Sequence, residues 1–232
     1  MVDALHAPTA IDTGGPRVRK QSSRGGETRA KINEATLQII KREGMRGVRH
    51  RAVAKEAGVP LGATTYHFKD IEDLIVSAFI QWRGDGVLRG NPIVDRVLGF
   101  IEKNAQKLSG SELGRKTLAR EIYQFMVDYE VDQIENHRDD RIIELAFYHE
   151  SLLVDKLRRE VLDYWKTQLS NLMPPFTAMQ SPDPMADARI TQSIFHQLER
   201  EAVMKGDDYD REILKTTLHR HVCHITGVEF TP

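Results

Sequence analysis

Apolar side chains recur three and four positions apart along most of the chain, the spacing that lines one face of an α-helix. Ile32, Ala35, Ile39 and Ile40 predict a first helix over about residues 27–43. Glu27 suits its positive N-terminal end, Lys41 and Arg42 suit its negative C-terminal end, and Gly44 stops it. Met45 and Val48 are placed to cover the next two helices. Ala52, Val53, Ala54 and Ala57 predict a short second helix starting near Arg51, small enough on one side for a neighbour to pack close. Gly58 sits where that helix ends, because glycine enters the left-handed conformation without steric cost. Pro60, with φ preset for a first helical turn, opens a third helix of barely two turns over 60–67. A helix that short is not stable alone, so Val59 and Phe68 are expected to anchor its ends, leaving Thr64, Thr65 and Tyr66 outward. Asp70 is a good N-cap for a fourth helix, with Asp73 at its third position. Ile71, Leu74, Ile75, Ala78 and Phe79 form its apolar stripe, running towards Trp82. Glycines at 84, 86 and 90, with Asn91 and Pro92, predict a boundary.

The pattern stays helical beyond, with helices expected over 92–109, 113–136, 140–173, 184–205 and 209–225. In the second of these, Leu118, Ile122, Phe125, Met126 and Tyr129 fill one face and Tyr123, Val127 and Ile134 another. A helix apolar on two sides is surrounded by protein and is a natural cavity wall. Glu130, Asp132 and Glu135 on that helix read as a solvated face. Prolines at 174, 175, 182 and 184 bracket a loop, and Gly206-Asp207-Asp208 separates the last two helices. The expected fold is all-α, with a basic arm over 1–26, a three-helix head over 27–73 and a helical body over 74–232.

A brief helix held by its ends, with hydroxyls and an aromatic ring exposed, is the form of a helix-turn-helix recognition element. Gly44, Ala54, Ala57, Gly58, Val59, Gly62, His67, Phe68, Glu72, Asp73 and Leu74 carry this segment's resemblance to the DNA-binding signature of the TetR family of bacterial transcriptional regulators. The resemblance covers about a fifth of the chain, without gaps. It implies a homodimer that binds a palindromic operator in double-stranded DNA, represses transcription and responds to a small-molecule effector, with no enzymatic activity and no cofactor. Where the family commonly has Thr or Ser as the cap of the second helix, this chain has Arg49, which cannot accept the amide hydrogen bond. Where the family commonly has a phosphate-gripping Tyr, it has Thr65, with Tyr66 one place later, and Leu61 replaces a residue more often polar or basic.

Charge agrees with a DNA-facing end. The chain carries a net −1 overall, but residues 15–70 hold +8 and the remainder −9 by count, so a basic front is set against an acidic back. Candidate DNA contacts are Arg49, His50, Arg51, Leu61, Gly62, Ala63, Thr64, Thr65, Tyr66, His67 and Lys69. Arg17, Arg19, Lys20, Arg24 and Arg29 are expected to follow phosphates or enter a minor groove from the arm. With no Arg, Asn or Gln in the third helix, the strongest bidentate base contacts are missing, and DNA shape has to supply part of the specificity.

Candidate ligand-binding residues are Tyr123, Met126, Tyr129, Phe147, Tyr148 and Trp165. Their apolar walls and few polar tips suit a lipophilic or aromatic effector. The last two helices are expected to pair with a second copy through Ile190, Ile194, Leu198, Ala202, Ile213, Leu214, Thr217 and His221. His219, His221, Cys223 and His224 supply ligand pairs on different helical faces, not one convergent metal set. Cys223 is the only cysteine, so no intrachain disulfide forms, which suits a reducing cytoplasm. The first residues lack the charged and apolar segments of a signal peptide, and no apolar run approaches the roughly 18 residues of a membrane span. The competing reading is a helical adaptor or scaffold that binds no DNA.

Overall fold

The structure, a computed structural model, describes residues 24–87, 92–108 and 111–232. Among these the chain is all α-helical, with no strand. In the head, α1 (Arg24–Glu43) is followed by one 3₁₀ turn, then α2 (His50–Ala57) and α3 (Leu61–His67). Gly58 ends α2 in the left-handed region, φ 65° and ψ 32°, as its position in the pattern requires. Then α4 (Ile71–Val87) leads into the body. Asp70 caps it, its carboxylate accepting the Asp73 amide at 2.8 Å. The helix runs through Gly84 and Gly86 and is described as far as Val87, within the expected boundary. Arg83 fixes that last stretch by pairing with Glu160 at 2.7 Å.

The body holds α5 (Pro92–Leu108), α6 (Glu112–Asn136), α7 (Arg138–Ser151), α8 (Asp155–Leu172), the short α9 (Pro174–Ala178), α10 (Pro184–Lys205) and α11 (Arg211–Thr226). The expected single helix over 140–173 is two. The Ser151 hydroxyl donates to the Tyr148 carbonyl at 2.7 Å, and Val154 is extended. The Arg158 guanidinium reaches back to the carbonyls of Ser151 and Leu152 at 3.1 and 2.9 Å. Side-chain bonds thus satisfy the end of α7, and the chain turns without glycine or proline.

Head and body share one core. Ile32, Ile39, Ile40 and Val53 of the head are buried with Leu74 and Phe79 of α4, Ile143 and Phe147 of α7, and Leu157, Val161 and Tyr164 of α8. The Phe79 ring lies 5.2 Å from Phe147 and 5.9 Å from Tyr164, both edge-on, the arrangement aromatic rings prefer. Packing therefore runs without interruption across residues 73 and 74. Ion pairs reinforce it, Lys41 of α1 with Asp139 and Lys156 of α8 with Asp73 at 2.7 Å. A second core joins α5, α6, α10 and α11, closed by Val228 and Phe230 of the C-terminal tail.

Candidate DNA-reading surface and internal chamber

The turn between α2 and α3 is tied by the Val59 amide donating to the Ala54 carbonyl at 3.0 Å. Pro60 precedes α3 in an extended conformation, and Phe68 is buried just beyond it. With its ends fixed, α3 exposes Leu61, Gly62, Thr65 and Tyr66, and Lys69 follows in the open. Tyr66 is 85% exposed and is the most prominent side chain on this surface. Ala63 is half-buried. Thr64 corrects the expectation that it faces outward. It is fully buried, its hydroxyl donating to the Leu61 carbonyl at 2.8 Å, because it lies one turn before Phe68 and shares its inward face. His67 is half-buried, its ring centroid 5.2 Å from Tyr66 and 6.3 Å from Phe68.

At the start of α2, Arg49 occupies the cap position in extended conformation and makes no side-chain cap bond. Arg49 and Arg51 are exposed, whereas His50 is half-buried with Nδ1 unpartnered. Two of the expected arm residues belong to a helix instead. Arg24 opens α1. Arg29, also on α1, donates to the Ser77 hydroxyl at 3.2 and 3.3 Å and lies 5.3 Å from the centre of the Phe68 ring. Arg29 thus clamps α1 to α4, joined by Asn33, which donates to Ser77 Oγ at 3.0 Å and to Gln81 at 3.1 Å. Arg17, Arg19 and Lys20 lie outside the described residues.

The six expected ligand-binding residues divide among separate places. Phe147 belongs to the shared core, while Tyr148, the next residue on α7, packs at the margin of that core and also borders a void. Tyr123 packs against His219 and Phe230. Met126 borders a small apolar void with Ile122 and Phe195. Tyr129 and Tyr148 border two adjoining voids of about 50 and 20 Å³ between α6, α7, α8 and α10. Trp165 lies edge-on to Tyr148 at 5.1 Å but is 41% exposed.

The lining of that double chamber is charged, not apolar as expected. Arg141 Nη1 lies 3.1 Å from Glu144 Oε2 and 3.2 Å from Glu199 Oε2. Tyr148 donates to the other Glu144 oxygen at 2.7 Å. One donor atom each from Glu144, His196 and Glu199 falls within 4.8 Å of the others. Glu130, expected on a solvated face, is fully buried, and neither of its carboxylate oxygens has a hydrogen-bond partner. Burial, then the neighbouring Glu199 charge, pushes the Glu130 carboxyl well up despite Arg141. Burial likewise pushes Glu199 up to about 7, against the pull of Arg141. Burial holds His196 below its ordinary value and therefore neutral. For Arg141 burial works downward, but Glu144 and Glu199 outweigh it and hold the guanidinium charged. Sequence reasoning missed Arg141, Glu144, His196 and Glu199 altogether. Their signal is i,i+3 spacing, Arg141 with Glu144 and His196 with Glu199, which on most helices marks only a solvated face.

On the outer surface of α10 and α11, Ile190 and Ile213 are 44% and 39% exposed, and Ile194 and Thr217 are half-buried. Leu198, Ala202, Leu214 and His221 are buried within the chain, which corrects their assignment to a dimer face. Helix α6 lies behind α10 and α11 and takes up that side of the stripe. His221 shares a 2.7 Å hydrogen bond with Thr191, His219 bonds the Phe230 carbonyl at 2.8 Å, and His224 is exposed. Cys223 Sγ lies 3.7 Å from His219 Nε2, the pair that shares one face of α11.

Residues 32–78 match the family described as bacterial regulatory proteins, tetR family. Over that segment the chain carries a TetR-family DNA-binding head, the mark of a family of bacterial transcriptional regulators. A member of the TetR family from Streptomyces coelicolor A3 is 24% identical, covers 84% of this chain and 98% of its own, and superposes with a TM-score of 0.54. A putative transcriptional regulator from Saccharomonospora viridis in complex with choline is 19% identical, with 85% and 96% covered and a TM-score of 0.59. The multidrug binding protein EbrR, complexed with imidazole, is 25% identical, with 84% and 89% covered and a TM-score of 0.51. No curated protein matches the chain. Among the described residues no helix is long and apolar enough to cross a membrane.

Proposed function

We propose that the chain is a homodimeric repressor in the bacterial cytoplasm that grips a palindromic operator in duplex DNA and releases it when a small effector enters the chamber. Each copy presents Leu61, Thr65, Tyr66 and Lys69 to one major groove, with Arg49 and Arg51 beside the phosphates. Two copies related by a two-fold axis read half-sites roughly 34–36 Å apart. The outward residues Ile190, Ile194, Ile213 and Thr217 form the pairing face. The choline and imidazole bound by structural relatives support a small effector here, and the charged chamber lining favours one with polar groups over a purely lipophilic one.

The observation that carries this reading is the double role of α7. One side of it puts Ile143 and Phe147 into the core shared with the head and pairs Asp139 with Lys41 of α1. The other side puts Arg141, Glu144 and Tyr148 into the chamber. A ligand that prefers one placement of α7 therefore acts on a helix that supports the head, and by linkage it weakens DNA binding by the amount of that preference. Retardation of labelled promoter fragments tests the reading. Tyr66→Ala is expected to weaken binding at least tenfold with helicity and melting temperature unchanged, whereas Thr64→Val leaves affinity within about twofold, a difference under about 0.5 kcal/mol. Intact binding by Tyr66→Ala rejects α3 as the reading element.

A further inference from the structure

We infer that Glu144, His196 and Glu199 bind one divalent transition-metal ion, and that this ion is the effector of the regulator proposed above, on which reading its regulatory role rests. Three kinds of observation meet at the site. The first is the donor set. One imidazole and two carboxylates come from two helices, His196 and Glu199 one turn apart on α10 and Glu144 facing them from α7, with donor atoms within 4.8 Å of one another. Donors around a shared tetrahedral ion with bonds of about 2.0–2.2 Å lie roughly 3.4 Å apart, so small side-chain movements complete the set. Imidazole mixed with carboxylate suits zinc, manganese or iron(II) better than magnesium or calcium.

The second is charge. Glu130 is fully buried with both oxygens unpartnered, and it interacts with Glu199 and Arg141 of the same site. Three buried carboxyl groups thus share a single guanidinium; ionised together they would carry two negative charges in excess, which a bound dication offsets and a monocation does not. The third is size. Voids of about 20 and 50 Å³ hold an ion and a few waters, whereas drug-sized ligands need roughly 300–1,000 Å³.

Arg141 makes the site a switch. Its Nη1 lies 3.1 Å and 3.2 Å from the Oε2 atoms of Glu144 and Glu199, so it is the resident cation at these carboxylates until a metal arrives. Two cations cannot share those oxygens without repulsion, and the incoming dication drives the guanidinium away. Arg141 is carried by α7, whose opposite side lies in the core shared with the head.

The test uses the full chain, stripped with chelator and dialysed against zinc(II) or manganese(II), with metal content, melting temperature and promoter retardation measured on each sample. One equivalent per protomer, a raised melting temperature and a DNA affinity changed at least fivefold are expected. His196→Asn and Glu199→Gln, close in shape to the native residues, should each weaken metal binding at least tenfold while far-ultraviolet dichroism stays native. Wild type that holds no more metal than Glu199→Gln overturns the site. So does stabilisation by tetramethylammonium with none by zinc or manganese, which would make this an organic-cation pocket. Metal bound at the site with unchanged retardation overturns its role as effector. Metal binding as expected in a protein that retards no DNA in either state leaves the site standing and rejects the regulator reading instead.

Discussion

The head and the chamber bury their polar groups in opposite ways. In the head, the buried polar side chains are neutral: Asn33, Thr36, Thr64 and Ser77. Thr36 and Thr64 donate to carbonyls of their own helix at 2.8 Å, and Asn33 and Ser77 join α1 to α4. In the body, neutral Ser151 and Thr191 are buried too, but they are joined by the ionisable Glu130, Glu144, Glu199 and His221, with Arg141 among the carboxylates. A neutral group bonded to its own helix costs little and fixes one shape. A buried carboxylate without a partner costs several times more and leaves free energy to be recovered when a cation or a proton arrives. The difference teaches where this molecule is built to hold a form and where it is built to respond.

The comparison can be broken or sharpened by substitution. The largest effect is expected at Phe147, fully buried where the two regions meet. Phe147→Ala should cost about 3–5 kcal/mol by chemical denaturation; a loss near zero would mean that α7 is not part of the head's support. Next is His221. Burial, aided by His224, pushes its imidazole down to about 4. Between the ordinary value of 6.5 and about 4 the unfolded chain binds a proton that the folded chain does not, so stability is lost as pH falls through that window. His221→Gln should remove up to about 3 kcal/mol of that loss, read as the difference between the two proteins' stability curves from pH 7 to 4. Parallel curves would show that His221 titrates normally.

Glu130→Gln should raise stability at neutral pH by roughly 1–3 kcal/mol, because an amide escapes the penalty that burial puts on an ionisable carboxyl. A fall in its denaturation midpoint would mean that Glu130 has a partner worth keeping. The smallest effect is expected at Arg49. Its backbone already has cap geometry, φ −140° and ψ 141°, so Arg49→Thr should add a cap of about 1 kcal/mol and weaken retardation of DNA if the guanidinium meets phosphate. Higher stability with unchanged DNA affinity would remove Arg49 from the interface.

How much of the molecule is legible in its sequence depends on how local each cause is. Gly44, Gly58, Pro60 and Asp70 act on the residues beside them, so the helix ends of the head fall where the sequence predicts. The burial of Thr64 is readable in principle, since it lies four residues before Phe68 and an anchor at one implies burial of the other. Glu130 is similar: it lies four residues after the buried Met126, and its acidic neighbours mask that register. The turn after Ser151 is not readable, because the group that satisfies it, Arg158, is an ordinary charged helix residue. The chamber is least legible of all. Its charges come from α6, α7 and α10, and nothing in any one of those helices states that the others will close over it.

The continuous packing beneath α4 has a practical consequence for anyone who would transplant the DNA-reading end. A fragment ending at residue 87 would lose Ile143, Phe147, Leu157, Val161 and Tyr164 from its underside and would expose a greasy flank prone to self-association. A chimera that keeps α7 and α8 with the first four helices retains that floor. On the function proposed above, swapping operator specificity between relatives would then be a matter of exchanging the outer side chains of α3, not the whole front of the protein.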